Sequence, residues 1–543
     1  MKPIVRTLSF IFCLLATSCA LQIAPQGGER DTRPPVLQRA IPPSGTTGFD
    51  AKEVVFEFDE YLQLKDVASK LVVSPPLRQN PVVKVRKNRL IMELEDTLHA
   101  ATTYTFNFGD AIADLNEGNT YPELTYVVAT GSVLDTLRMS GSVQKAEDLK
   151  PEKGMLVMLY PSGSEDSIPY QERPLYFSKT DDLGNFTVQN IAPGSYRLFA
   201  LVDGNSNYIY DDPSERIAFL QKEVTPPDSA LRLASFKKSG PVKLSRAAAD
   251  GPGKVALILS RPDSLSSIRL LSDSVRCGVR NRIASALGDT LYYWYTDLMT
   301  DSMTFEVRLR ERTDTIQVRL SRLDTTSIRK RAAFQFAVEV PAAASGLQPT
   351  HLPLQFRTNH PIESFDTSLV SIARNGVPVP LPAPSLSNPT TLQFDVPWEE
   401  EQPYEVLVDP GAFRDIFQLK NDTLRFRFTT NASTDYGSLR VSMNGVAASG
   451  SSVLLLVSDD DRPIRKAVFA SDTVCLFEHI VPGNYRLKRV DDRNNNGQWD
   501  SGDDLLRMQP EAVIYYADPV PVRANWDVEV KWNLADPSGD RRQ

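Results

Sequence analysis

Ile191-Ala192-Pro193-Gly194-Ser195-Tyr196-Arg197-Leu198 returns as Ile480-Val481-Pro482-Gly483-Asn484-Tyr485-Arg486-Leu487, 289 positions further on. At the same offset Asp203, Asn205, Asn207 and Asp211 land on Asp492, Asn494, Asn496 and Asp500. Two copies in register over roughly twenty positions without a gap mark an internal repeat. In each copy the Pro-Gly pair reads as a turn between two strands, with Pro fixing one φ and Gly expected to accept a positive one.

Working outward, period-2 patterning dominates. Val54, Phe56 and Phe58 alternate with Val55 and Glu57; Leu90, Met92 and Leu94 with Ile91 and Glu93; Tyr104, Phe106 and Phe108 with Thr103, Thr105 and Asn107. Such alternation puts one face on a core and the other in water. Helical stripes are almost absent, and 39 Pro against 28 Gly suits many strand ends and turns, so the fold class is predicted to be all-β. A chain of 543 residues exceeds one hydrophobic core and should divide into several domains.

Two resemblances refine this. Asp31-Thr-Arg-Pro-Pro35, Pro42-Pro-Ser-Gly45, Phe56-Glu-Phe-Asp-Glu60, Thr102-Thr-Tyr-Thr-Phe106 and Asp114-Leu-Asn-Glu-Gly-Asn119, closed by Thr130-Gly131, resemble the bacterial Ig-like domain that opens many Bacteroidetes lipoproteins. That family implies a seven-stranded sandwich serving as spacer or binding module, not an enzyme. Gly184-Asn-Phe followed by Ile191-x-Pro-Gly-x-Tyr resembles the transthyretin-like, carboxypeptidase-regulatory-like β-sandwich, a module that usually has no activity of its own. Leu354-Gln-Phe356, Tyr404 to Asp409, Asp415 to Asn421 and Phe426 to Thr430 repeat the order of the first Ig-like domain.

The expected fold is therefore tandem Ig-like and transthyretin-like β-sandwich domains. The expected order is Ig-like at 32–134, transthyretin-like at 135–235, a β-sandwich at 236–335, Ig-like at 336–432 and transthyretin-like at 433–533, with a polar tail at 534–543. The middle sandwich is either separate or packed as one unit with the Ig-like module at 336–432.

The N-terminus addresses the chain. Lys2 and Arg6 precede an apolar run from Leu8 to Ala16 and then Ala16-Thr17-Ser18-Cys19. A positive region, a short apolar run and small residues are a secretory signal, too short to span a bilayer. With Cys19 directly after the small residues, residues 1–18 resemble a bacterial lipoprotein signal peptide. Cys19 is then the lipidated first residue, followed by a linker at 19–31. Several acyl chains suffice for stable anchoring. Ala20-Leu-Gln-Ile-Ala24 lacks the acidic cluster of many surface-exported Bacteroidetes lipoproteins, so the periplasmic and extracellular faces of the outer membrane both stay open.

Losing the signal takes the formal charge from −8 to −10, which argues against nucleic acid, since no basic excess exists to displace phosphate counterions. Cys277 and Cys475 remain, in different predicted domains, and read as buried thiols rather than a disulfide.

Chemistry is sparse. From Asp492, oxygen-bearing side chains fall at positions 1, 3, 5, 9 and 12 (Asp492, Asn494, Asn496, Asp500 and Asp503), with Gly497 at position 6, where the sharp turn of a Ca²⁺ loop needs it, and Gln498 at position 7. The Gln498 backbone carbonyl can also serve. The loop ends in Asp rather than the bidentate Glu, and its flanks are strands. A second, weaker set is Asp203, Asn205, Asn207 and Asp211, where Tyr208 replaces the Gly and Ser214 stands at position 12. A structural Ca²⁺ is the expected cofactor, with none catalytic; the competing reading is a polar hairpin in which Asn and Asp bond their own backbone.

Tyr292-Tyr-Trp-Tyr295 reads as a strand with alternate aromatics in the core, or as a sugar-stacking platform. Asp114-Leu-Asn-Glu117 reads as a solvated loop rather than a carboxylate pair. His99, His351, His360 and His479 lack metal-ligand spacing, and no Gly-x-Ser-x-Gly, His-Glu-x-x-His or phosphate loop occurs. The expectation is a noncatalytic outer-membrane lipoprotein, acting as scaffold or binding subunit for an outer-membrane protein partner in assembly, transport or secretion. The alternative is a surface glycan-binding protein or adhesin. An enzyme would need a deep pocket with convergent polar groups.

Overall fold

A computed structural model describes residues 31–212, 214–262, 266–272, 279–285, 288–309, 312–320, 335–446 and 450–535. The expected signal peptide at 1–18, Cys19 and Cys277 lie outside the described residues. The chain is an all-β, multidomain array of β-sandwich modules. Among the described residues only Val67–Lys70 and Pro341–Ser345 are α-helical, and no helix is long and apolar enough to cross a membrane. Packing divides the chain into two compact units. Of the described residues, the first holds those of 31–145, 149–237 and 503–509; the second holds those of 146–148, 238–502 and 510–535.

In the first unit, strand Glu53–Phe58 lies between Leu37–Ile41 and Arg89–Glu93, and its burial alternates as its sequence does. Val54, Phe56 and Phe58 are fully buried beside Leu90 and Met92 of the neighbouring strand, and share a core with Tyr104, Phe106 and Phe108 of the other sheet. Edge-to-face packing of Phe56 on Tyr126, centroids 5.2 Å apart, adds to the burial.

Asp114 is not the solvated group expected of it. It ends the short strand Ile112–Asp114 and is 1 % exposed. Its Oδ1 accepts the N–H of Glu117 at 2.6 Å and of Gly118 at 3.0 Å, and its Oδ2 accepts that of Asn119 at 2.7 Å. Burial alone would raise its pKa, but these backbone bonds outweigh it and hold the carboxyl below its ordinary range. A folded pKa below the unfolded one adds stability that is present at neutral pH and lost as pH falls through the folded value. Asp114→Asn should therefore cost about 1–3 kcal/mol at pH 7. It should also flatten the acid limb of the urea-midpoint profile below about pH 4; a parallel profile would remove Asp114 from the linkage.

The next module has its own core around Met139, Val157, Leu159, Val188 and Leu198. Its first strand, Leu137–Lys145, pairs antiparallel with Asn185–Ile191 and parallel with the last strand, Asp228–Lys237. The second unit repeats this arrangement. Gly437–Asn444 pairs antiparallel with Thr473–Ile480 and parallel with Asp527–Asn533.

The repeated Pro-Gly-x-Tyr has a structural cause. Tyr196 Oη donates to Ala192 O at 2.8 Å, and Tyr485 Oη to Val481 O at 2.6 Å, so each ring folds back and pins its own turn. The glycine does not play the part expected of it, because Gly194 is extended, with φ 159°. The tyrosine shapes the turn instead.

Within the second unit, the sandwich that runs from strand Leu244–Ala249 to strand Thr313–Arg319 has a core of Val255, Leu257, Tyr293, Met303, Phe305 and Val307, its start lying beyond the expected 236 because strand Asp228–Lys237 belongs to the preceding module. Ile416 and Phe417, supplied by the following Ig-like module, complete it. Their loop begins at Asp415, which is fully buried and repeats the role of Asp114. Its Oδ1 accepts from Phe417 N at 2.9 Å and Leu419 N at 2.8 Å, and its Oδ2 lies 2.7 Å from His360 Nδ1. The two modules thus share a core. That of the Ig-like module itself centres on Leu354, Phe356, Phe394, Val406 and Phe413, and that of the last module on Leu439, Val441, Leu454, Leu487 and Trp532.

Candidate metal site in the repeated loops

Each Asp/Asn loop leaves the strand that follows the Pro-Gly-x-Tyr turn: Tyr196–Leu201 in the first copy, Gly483–Asp492 in the second. The two loops share a scheme of backbone donors. In the second copy Asp492, fully buried, accepts Asn496 N at 3.0 Å on Oδ1 and Gly497 N at 2.8 Å on Oδ2. Asn494 Oδ1 accepts Asn496 N at 3.1 Å, and Asn496 Oδ1 accepts Gln498 N at 2.7 Å. Asp203 treats Asn207 N and Tyr208 N in the same way, at 3.2 and 2.8 Å. Asn205 Oδ1 and Asn207 Oδ1 likewise take Asn207 N at 3.1 Å and Ile209 N at 2.7 Å.

Position 6 is left-handed in both, with φ 72° at Gly497 and 66° at Tyr208. A tyrosine there costs on the order of 1–2 kcal/mol. The cost is offset by its ring, which packs edge-on to Phe177 at 4.9 Å with the Arg173 guanidinium 5.7 Å from its centroid. Tertiary packing thus gives Tyr208 the conformation that composition assigns to glycine.

The acidic group closing each loop is not marked by the regular spacing. Glu511, 2 % exposed, accepts Arg493 N at 2.8 Å on Oε1 and Asp500 N at 3.0 Å on Oε2. Burial pushes its carboxyl pKa up, and the charges of Asp500 and Asp492 add to that. In the first copy the equivalent is Glu215, whose Oε1 accepts Gly204 N at 2.9 Å. Glu215 follows Asp211 by four residues and Glu511 follows Asp500 by eleven, so the constant offset breaks between them and conceals the match.

Asp503 serves its own turn: Oδ1 accepts Leu506 N at 3.1 Å, its N–H reaches Met508 O at 2.8 Å, and it packs in the first unit. Gln498 is placed by its N–H bond to Asn496, and Asp211 takes the amides of Asn205 at 3.1 Å and Asn207 at 2.7 Å. Among the described residues no group of three His, Cys, Asp or Glu side chains converges as a metal cluster, so cation binding in either loop must draw on amide and carbonyl oxygens.

The other candidates resolve simply. Tyr293 and Tyr295 enter the core of their sandwich, and Trp294 on the opposite face is covered by His360 and Phe417, so all three are buried. Tyr292 is half-buried, with Lys254 Nζ 4.2 Å above its ring. The run therefore offers no sugar platform. His351 and His479, 128 positions apart in sequence, stack at 3.9 Å and 10°, a pairing that spacing could not reveal. Parallel rings do not aim their nitrogens at one ion. Burial, then the neighbouring His479 and Arg465, lower the pKa of His351. Cys475 is a free buried thiol.

Comparison with known proteins bears on the modules. Residues 31–129 match the bacterial Ig-like domain family. No curated protein matches the chain. Among solved structures, SGBP-B of the Bacteroides ovatus mixed-linkage glucan utilization locus, in complex with a mixed-linkage heptasaccharide, aligns over 70% of this chain and 93% of its own at 11% identity and TM-score 0.17. The major pilin subunit BcpA of Bacillus cereus aligns over 73% and 99% at 9% identity and TM-score 0.15. The surface-layer protein SbsC aligns over 84% of this chain and 65% of its own at 11% identity and TM-score 0.13.

Proposed function

We propose that this chain is a noncatalytic, lipid-anchored protein of the bacterial outer membrane whose sandwich modules serve as scaffold or binding subunit for a membrane-embedded protein partner. The observation that carries the reading is five hydrophobic cores among the described residues, each closed by sandwich strands, following an N-terminal segment that ends in Ala16-Thr17-Ser18-Cys19. Such modules present sheet edges on which a partner can add a strand. Strand Pro463–Phe469 is one such edge, with Ile464 and Val468 exposed on it.

A second reading, surface glycan binding, is favoured by Trp526, 56 % exposed with the Arg523 guanidinium 5.0 Å from its ring centroid. An exposed indole flanked by a polar group suits stacking on a sugar.

One experiment separates the two. The tagged full chain is isolated in mild detergent, with Cys19→Ala and Trp526→Ala alongside. Co-isolation of a stoichiometric membrane β-barrel, unaffected by Trp526→Ala, together with release of Cys19→Ala from the membrane fraction, is the expected result. Capture by immobilised glycan that Trp526→Ala abolishes would establish the second reading instead. Membrane retention of Cys19→Ala would overturn the anchor.

A further inference from the structure

We propose that the first-copy loop holds a Ca²⁺ ion and that Glu215 is one of its ligands. Asp203, Asp211 and Glu215 each accept an N–H group of this loop, and none of them takes part in an ion pair among the described residues. Each loop oxygen that accepts a backbone N–H keeps a further lone pair, so the backbone bonds of Asp203, Asn205 and Asn207 orient these groups without exhausting them.

Glu215 supplies the independent sign of a ligand. It is 5 % exposed, its Oε1 is engaged by Gly204 N, and its Oε2 is buried with no hydrogen-bond partner. An ionised carboxylate buried with an oxygen unsatisfied is costly unless a cation meets it. Carboxylate and amide oxygens, with no Cys or His among them, are a hard-cation set; Ca²⁺ accepts six to eight such oxygens in a flexible shell, whereas Mg²⁺ demands a regular octahedron.

The second copy lacks this demand. Both oxygens of Glu511 are occupied by backbone N–H groups, and the Lys466 ammonium donates to the Gly497 carbonyl, setting a positive charge against the loop. On this proposal the Asp203 loop, rather than the Asp492 loop, is the stronger cation site.

The test is calorimetric titration of the full, chelator-stripped chain with Ca²⁺, alongside Tb³⁺ luminescence excited through tyrosine, since Tyr208 and Tyr210 lie in the first loop. The expected result is one Ca²⁺ per chain, weakened about tenfold or more in Glu215→Gln and unchanged in Glu511→Gln. Should Glu215→Gln fail to fold, Asn205→Ala, at an exposed position, is expected to weaken binding in the same way. Absence of binding, wild-type affinity in Glu215→Gln or in a folded Asn205→Ala, or loss confined to Glu511→Gln would each overturn the proposal.

Discussion

Phe417→Ala is expected to destabilise the second unit by about 3–5 kcal/mol, the cost of emptying an aromatic site in a packed core. The side chain is 9 % exposed, lies 6.4 Å from the Trp294 ring and 5.2 Å from that of His360, and belongs to the core of the preceding sandwich rather than to its own. The loss should appear in fluorescence-monitored urea unfolding and as faster hydrogen exchange in strands Lys254–Leu259 and Thr290–Tyr295, across a module boundary. Gly253 supplies a coupled check. A Cβ there would sit 2.3 Å from Phe417 Cζ and 2.9 Å from Tyr295 O, at φ +68°. Gly253→Ala should therefore be severe alone and milder on the Phe417→Ala background, since neighbours in one contact are not additive. Equal cost on both backgrounds would mean that the ring does not fill that space.

Glu152→Ala should be of comparable size in the first unit. Glu152 is 7 % exposed; its Oε1 lies 2.7 Å from Arg216 Nε and accepts Ser235 Oγ at 2.9 Å, while Arg216 Nη2 also donates to Ser235 O at 2.8 Å. Removing the carboxylate leaves a guanidinium among buried strands, which costs about 3–5 kcal/mol. Replacing both partners, as in Glu152→Leu with Arg216→Met, should recover most of the melting temperature, because the desolvation that the pair imposes disappears with it. A loss below about 1 kcal/mol in Glu152→Ala would place the pair among surface ion pairs.

The legibility of this chain tracks the range of the forces involved. Alternation at Val54 to Phe58 and at Tyr104 to Phe108 is local: each residue's partition between core and water is written beside it, and the strands form as the pattern predicts. The repeat is legible because its turn is self-contained, each tyrosine reaching only four residues back. Asp114 misleads because its side chain looks solvated in sequence, whereas folding buries it to collect three N–H groups. Glu215 and Glu511 escape a reading by spacing because loops of different length bring them to equivalent places.

By itself, the sequence determined an all-β fold, an internal repeat and oxygen-rich loops at fixed spacing. These are set by side-chain period and turn chemistry within a few residues. Tertiary structure alone decided that Phe417 belongs to its neighbour's core, that Tyr208 takes a glycine's conformation, and that Glu215 rather than Ser214 closes the first loop with an oxygen to spare. Each of these depends on which distant groups exclude water from the same place, and that is settled only when the chain closes on itself.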